Sequence, residues 1–121
     1  MTIDKLHDRD FAITIDGEEY HLSLENNPTA RAFAKMLPIN LTLEELNGNE
    51  KYVYLDTSLP TDASMPKEIH AGDVMLYENN CLVIFYKTFR TPYSYTRIGR
   101  IDGLPKLWHE MVEVTIAAAQ H

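Results

Sequence analysis

A single cysteine, Cys81, leaves this chain without any internal disulfide. One thiol suits a reducing compartment, and the expected location is the cytoplasm. Basic residues are scarce too: 11 Lys and Arg stand against 18 Asp and Glu, for a formal net charge of -7. Nucleic acid and anionic membrane are therefore not the expected partners, since both need clustered cations. Long apolar runs are missing. The longest, Cys81 to Tyr86, falls far short of the ~20 residues that span a bilayer. The segment from Met1 to Asp8 is polar and mixed in charge, with nothing like the apolar stretch of a signal peptide. Histidines 7, 21, 70, 109 and 121 show no metal-ligand spacing among themselves or with Cys81. Neither a glycine-rich phosphate loop nor a Gly-x-Ser-x-Gly nucleophile motif occurs, so neither a metal nor a cofactor is expected.

What remains is the material of one domain. A chain of 121 residues can bury one core without a staple. There is no repeat, low-complexity tract or linker. The expected division is a leader over residues 1–10, a domain over 11–117 and a tail over 118–121, with the run from Ala117 onward fraying. Phe11, Ile13 and Ile15 alternate with Ala12 and Thr14, the period of a half-buried strand. Asp16-Gly17 is a strong hairpin signal, and the return strand sets Tyr20, Leu22 and Leu24 on one face. Asn27 can cap a helix with Pro28 in its first turn, and Ala30, Phe33, Ala34 and Leu37 form an apolar stripe. This predicts a short helix over 28–37 that leans on a sheet. Thr42 and Glu45 have the spacing of a capping box, which predicts one or two helical turns before Asn47-Gly48. A further minor helical turn is predicted around Leu104, Leu107 and Trp108. Strands are predicted at Tyr52–Leu55, Val74–Tyr77, Cys81–Tyr86, Tyr93–Ile101 and Val112–Ile116, with residues 56–68 a long surface loop. The Cys81 strand is apolar on both faces and reads as central. About seven short strands and one helix predict a mainly β protein, a small barrel or sandwich.

Several ordered segments resemble bacterial cyclophilin-like fold proteins. They are Ile39 to Tyr52, Ile69 to Tyr77, Cys81 to Tyr86 and Tyr95 to Ile101, in consistent order across roughly residues 11–117. The resemblance implies a closed β-barrel related in fold to the peptidyl-prolyl isomerases, though not their activity. Prolyl isomerases of this fold carry a Phe-His-Arg run, and none exists here. Their Gln-Gly-Asp pattern is absent as well, so their catalytic residues do not carry over and the catalytic set is unknown.

The most suggestive segment for chemistry is Arg90 to Arg100. On a strand Tyr93, Tyr95 and Arg97 share a face, where rings beside a guanidinium can stack on a peptide or small polar ligand. The plain alternative is a solvated face with Arg packed on Tyr. Gly48 to Tyr54 comes second: Glu50 and Lys51 beside a strand entrance could line a pocket mouth, or simply be exposed turn charges. The expected site gathers Arg97, Tyr95, Tyr54 and Phe85 in one concavity, with Glu50 near its rim. His70 and Asp73 allow an orienting contact, or a plain turn hydrogen bond. Cys81 reads as an inert buried thiol. Two functions fit: a non-catalytic module for a small ligand or extended peptide, and a prolyl isomerase with Arg97 as donor to the prolyl nitrogen and Phe85 or Phe89 as pocket wall.

Overall fold

The structure is a computed structural model, and it describes residues 11–105 and 110–119. Its strands are β1 (Phe11–Ile15), β2 (Glu18–Leu24), β3 (Ile39–Leu46), β4 (Glu50–Tyr54), β5 (Glu68–Ile69), β6 (Asp73–Tyr77), β7 (Cys81–Phe85), β8 (Phe89–Arg90), β9 (Thr96–Ile101) and β10 (Met111–Ala118). One helix, α1 (Pro28–Ala34), lies between β2 and β3. Eight strands close into a barrel in the order β1-β10-β3-β4-β7-β6-β9-β2, and β5 and β8 form a separate two-stranded ribbon. The expected small closed barrel is the fold. Closure leaves the main sheet without a free edge.

Asp16 and Gly17 both take positive φ, 48° and 92°, and so form the tight turn joining β1 to β2. Asn27 caps α1 by accepting the Ala30 N–H at 2.7 Å, with Pro28 just inside. The helix is shorter than the 28–37 expected, because Lys35 already forms its C-cap. Its Ala30 and Phe33 are fully buried and join the core inside the barrel. Leu55 and Leu59, from the long loop after β4, enter the same core, and Thr29 Oγ1 donates to the Pro60 carbonyl. Helix and loop together close the end of the barrel where β2, β4 and β6 finish.

Three expectations change. Residues 41–46 are strand rather than helical turns: β3 pairs with β10 from Ile39↔Ile116 to Glu44↔Met111. Leu41 and Leu43 pack inward, so pairing on both sides outweighs a local capping preference. The Glu45 carboxylate instead accepts the Gly48 N–H across the following turn. Ala117 and Ala118 do not fray, because they pair with Ala12 and Phe11 in β1. Residues 87–92, whose sequence reads as an irregular connection ending at Pro92, contain β8, which pairs with β5. The helical turn expected around Leu107 and Trp108 lies outside the described residues.

Two features tie β9 into the wall. A Cβ at Gly99 would stand 2.2 Å from the Ser23 carbonyl oxygen, so β2 and β9 meet this closely only at glycine. On the other side the register of β6 with β9 shifts, Val74↔Gly99 giving way to Met75↔Arg97, which leaves Ile98 as an extra bulged residue.

Candidate functional site

The barrel wall carries apolar side chains on both faces of β7. Inward, Leu82 and Ile84 belong to the main core. Outward, Cys81, Val83 and Phe85 form a second cluster with Ile69, Met75 and Tyr95. All of β7 is buried, as its two-sided apolar pattern predicts. The ribbon β5–β8 covers part of the outer cluster through Ile69 and Phe89. The uncovered part is a groove of about 550 Å³ between β4, the β6–β7 hairpin and the segment after β8.

Rings run through this groove in a file. Phe85 touches Phe89 and Tyr95, with centroids 5.7 and 5.4 Å apart. Tyr95 meets Tyr77 at 5.6 Å, and Tyr77 meets Tyr93 at 6.3 Å. Tyr52 and Tyr54 stand edge to face at 5.9 Å on the opposite wall. Tyr54 and Tyr93 are more than half exposed, so the file passes from a buried end to an open one.

β4 supplies the polar contrast. Glu50 and Lys51 are adjacent, so the strand sends them to opposite faces. Both are buried, at 7% and 0% exposure, rather than exposed turn charges. Lys51 turns into the end of the barrel, with Nζ 2.8 Å from Glu45 Oε1 and 5.5 Å from the Tyr86 ring centroid. Tyr86 donates its hydroxyl to the same Glu45 oxygen at 2.7 Å. Burial alone would raise the Glu45 pKa; the hydrogen bonds from Lys51, Tyr86 and the Gly48 N–H outweigh it and hold the carboxyl below its ordinary value.

Glu50 has no such company. Its carboxyl accepts no hydrogen bond among the described residues, and no oxygen of it is sealed from solvent. It faces the groove instead. Burial, helped by the nearby Glu45 charge, pushes it up to about 7. Burial and the Glu50 charge in turn push the Tyr95 hydroxyl to about 12. The Cys81 thiol rises to about 11 for the same reasons, with Glu78 adding to it. Such a thiol carries little thiolate at neutral pH.

Tyr54, Tyr95 and Glu50 thus border one groove, with Phe85 packed beneath Tyr95. Glu50 sits deep, not at the rim. Arg97 is elsewhere. It shares the outer face with Tyr95, but it borders a different concavity with Asn27, Pro28 and Asp62. Ser64 pairs with Tyr95 through two backbone hydrogen bonds and borders the Arg97 concavity. This crossing loop gives Arg97 and the rings separate surroundings, which strand parity alone does not register. The cation bordering the groove is Arg90. Tyr77 escaped sequence reading; its signal was pairing with Cys81 across the β6–β7 hairpin, which aligns it with the outer cluster. His70 and Asp73 make a turn: the His70 backbone N–H donates to Asp73 Oδ2 at 2.8 Å. Among the described residues no three of His, Cys, Asp and Glu gather in a way that could hold a metal. Nor is any described helix long and apolar enough to cross a membrane.

A sequence model of the cyclophilin-like family matches residues 13–117. The chain belongs to the cyclophilin-like family. Among solved structures, this cyclophilin-like barrel is similar to the solution structure of a hypothetical protein from Archaeoglobus fulgidus, with a TM-score of 0.61 and 23% identity. The alignment covers 98% of this chain and 100% of the archaeal one. At that identity the likeness speaks for the fold alone. No curated protein matches the chain.

Proposed function

We propose that this cyclophilin-like barrel is a binding module without catalytic machinery, and that its ligand, a small molecule or an extended peptide, lies in the outer groove. The observation that carries this reading is the file of rings that starts at buried Phe85 and Tyr95 and opens to solvent at Tyr77 and Tyr93, beside the part of the wall that the β5–β8 ribbon covers. An apolar groove with a few placed polar groups is the usual form of a ligand site. Exposed rings set side by side, rather than scattered, favour an interaction surface over ordinary solvent exposure. The lone thiol keeps a reducing cytoplasm as the favoured location.

The isomerase reading has less support. It needs a donor beside an apolar wall to lower a rotational barrier of ~18–20 kcal/mol. Arg97 borders a different concavity from the rings, and Arg90 is exposed. The test is one titration and one rate. A short proline-containing peptide is added to labelled protein, and amide shifts are followed while its cis–trans relaxation is measured. The expected result is shifts clustered at Tyr77, Tyr93 and Tyr95 with relaxation at the spontaneous rate. A relaxation faster than spontaneous would overturn the non-catalytic reading.

A further inference from the structure

The outer groove holds one buried acid, Glu50, with no hydrogen-bond or ion-pair partner among the described residues, and that acid restricts what the groove accepts. We infer that the groove is a site for an organic cation: a small primary amine whose ammonium meets the Glu50 carboxylate and whose apolar body lies along the tyrosine rings. The inference rests on the binding reading above and names its ligand class. It stands on three features. Glu50 is 7% exposed and accepts no hydrogen bond among the described residues, so its oxygens are free to take donors from a ligand. Tyr52, two residues along β4 on the same face, and Tyr95 border the same groove as Glu50, so a cation held there meets rings as well as a carboxylate. The remaining rings extend from there to solvent, giving an alkyl or aryl body an apolar track. A cation gains from ring faces as well as from the carboxylate, and more so where both are desolvated.

The groups around Glu50 set its response to pH. Glu45 on β3 is anionic and disfavours a second charge, although Lys51 pairs with it. Cys81 on β7, together with Tyr86 and Tyr95, stays neutral at neutral pH, each raised by its burial. Arg90 on β8 borders the outer part of the groove and is exposed, where water and salt screen its charge. Without ligand, Glu50 is therefore close to half protonated near neutrality. An ammonium must displace that proton, so binding releases it. Affinity falls as pH drops below about 7, approaching about tenfold per pH unit. Alkylammonium ions remain charged over this range, so the dependence belongs to the protein.

The experiment compares phenethylammonium with phenylethanol, a neutral molecule of similar shape, by titration into the full-length protein with NMR and calorimetry. At about pH 8 the ammonium is expected to bind at least about tenfold more tightly, and at about pH 5 the advantage should vanish. In Glu50→Gln the advantage should vanish at every pH, while phenylethanol still shifts Tyr77 and Tyr95. A lysine peptide and its norleucine counterpart form a second pair. Preference for the lysine peptide also supports the inference, and whichever cation binds tighter identifies a free amine or a peptide side chain as the source. Equal binding of ammonium and alcohol at all pH values, with groove resonances shifting for both, would overturn the cation while leaving the binding reading intact. No shift in the groove with any of the four probes would overturn both. The wild-type comparison stands even if the Gln variant folds poorly.

Discussion

Glu50 and Lys51 are neighbours in one strand, buried to a similar degree, and treated in opposite ways. Lys51 enters the barrel end and meets Glu45 and the Tyr86 ring, and the Glu45 carboxyl is held below its usual range. Glu50 turns outward into the groove lined by rings, accepts no hydrogen bond among the described residues and is pushed up to about 7. A buried charge is normally compensated, because desolvation without a partner costs several kcal/mol. The inner face follows that rule and reads as structure. The outer face departs from it, as the proposed binding groove would require.

The contrast can be broken most severely from inside. Phe33 is fully buried among the side chains that close one barrel end. Phe33→Asp should cost roughly 4 kcal/mol, enough to unfold much of the protein, as thermal denaturation would show. A variant with unchanged melting would mean that α1 is not part of the core.

On the outer face the expected effect has the opposite sign. Because the Glu50 value is raised by folding, the folded state holds its proton more tightly than the unfolded chain between about pH 4.5 and about 7. This contribution to stability is complete below about 4.5 and is lost as pH rises through about 7. Glu50→Gln keeps the neutral form at every pH. It should match wild type at low pH and exceed it by up to about 3 kcal/mol above neutrality. Denaturant midpoints measured across pH would check this, and a flat difference would show that Glu50 is hydrated rather than desolvated.

Lys51→Met should be milder. It removes the cation and leaves Glu45 with Tyr86 and the Gly48 N–H, at a cost of about 2 kcal/mol at neutral pH, since Glu45 is partly exposed. The penalty should shrink in acid. Glu45, lowered by its partners, contributes stability that is present above its unfolded value of 4.5 and lost as pH falls through its folded value. A penalty that grew in acid would contradict the pairing.

The smallest effect is kinetic. Cys81 is 5% exposed, and its thiol is raised to about 11. Labelling by a maleimide should be far slower in the folded protein than in denaturant. Because Cys81 borders the groove, an occupying ligand should slow it further. Labelling at the unfolded rate would mean that the outer cluster opens readily.

Much of the fold was legible in the residues. The alternation of Phe11, Ile13 and Ile15, the Asp16-Gly17 turn, the Asn27-Pro28 helix start and the two-sided run Cys81–Phe85 are local patterns with local causes, and the structure keeps each one. Residues 41–46 misled because Thr42 and Glu45 have helix-start spacing. Only pairing with β4 and β10 made the segment a strand and turned Glu45 toward Lys51. The site was legible in part. Parity correctly set Tyr95 and Arg97 on one face, but parity has no means of representing the loop that meets that face at Ser64 and surrounds Arg97 differently.

By itself the sequence determined most of the barrel strands, the start of α1 and the two-sided burial of β7, since period, turn chemistry and capping act over a few residues. Tertiary structure decided which face each charged residue took and what it met there. Glu50 and Lys51 differ in partner because one face of β4 closes onto Glu45 and Tyr86 while the other opens onto rings from β6, β8 and the segment before β9. Those groups lie far apart along the chain, and only closure of the barrel brings them into range.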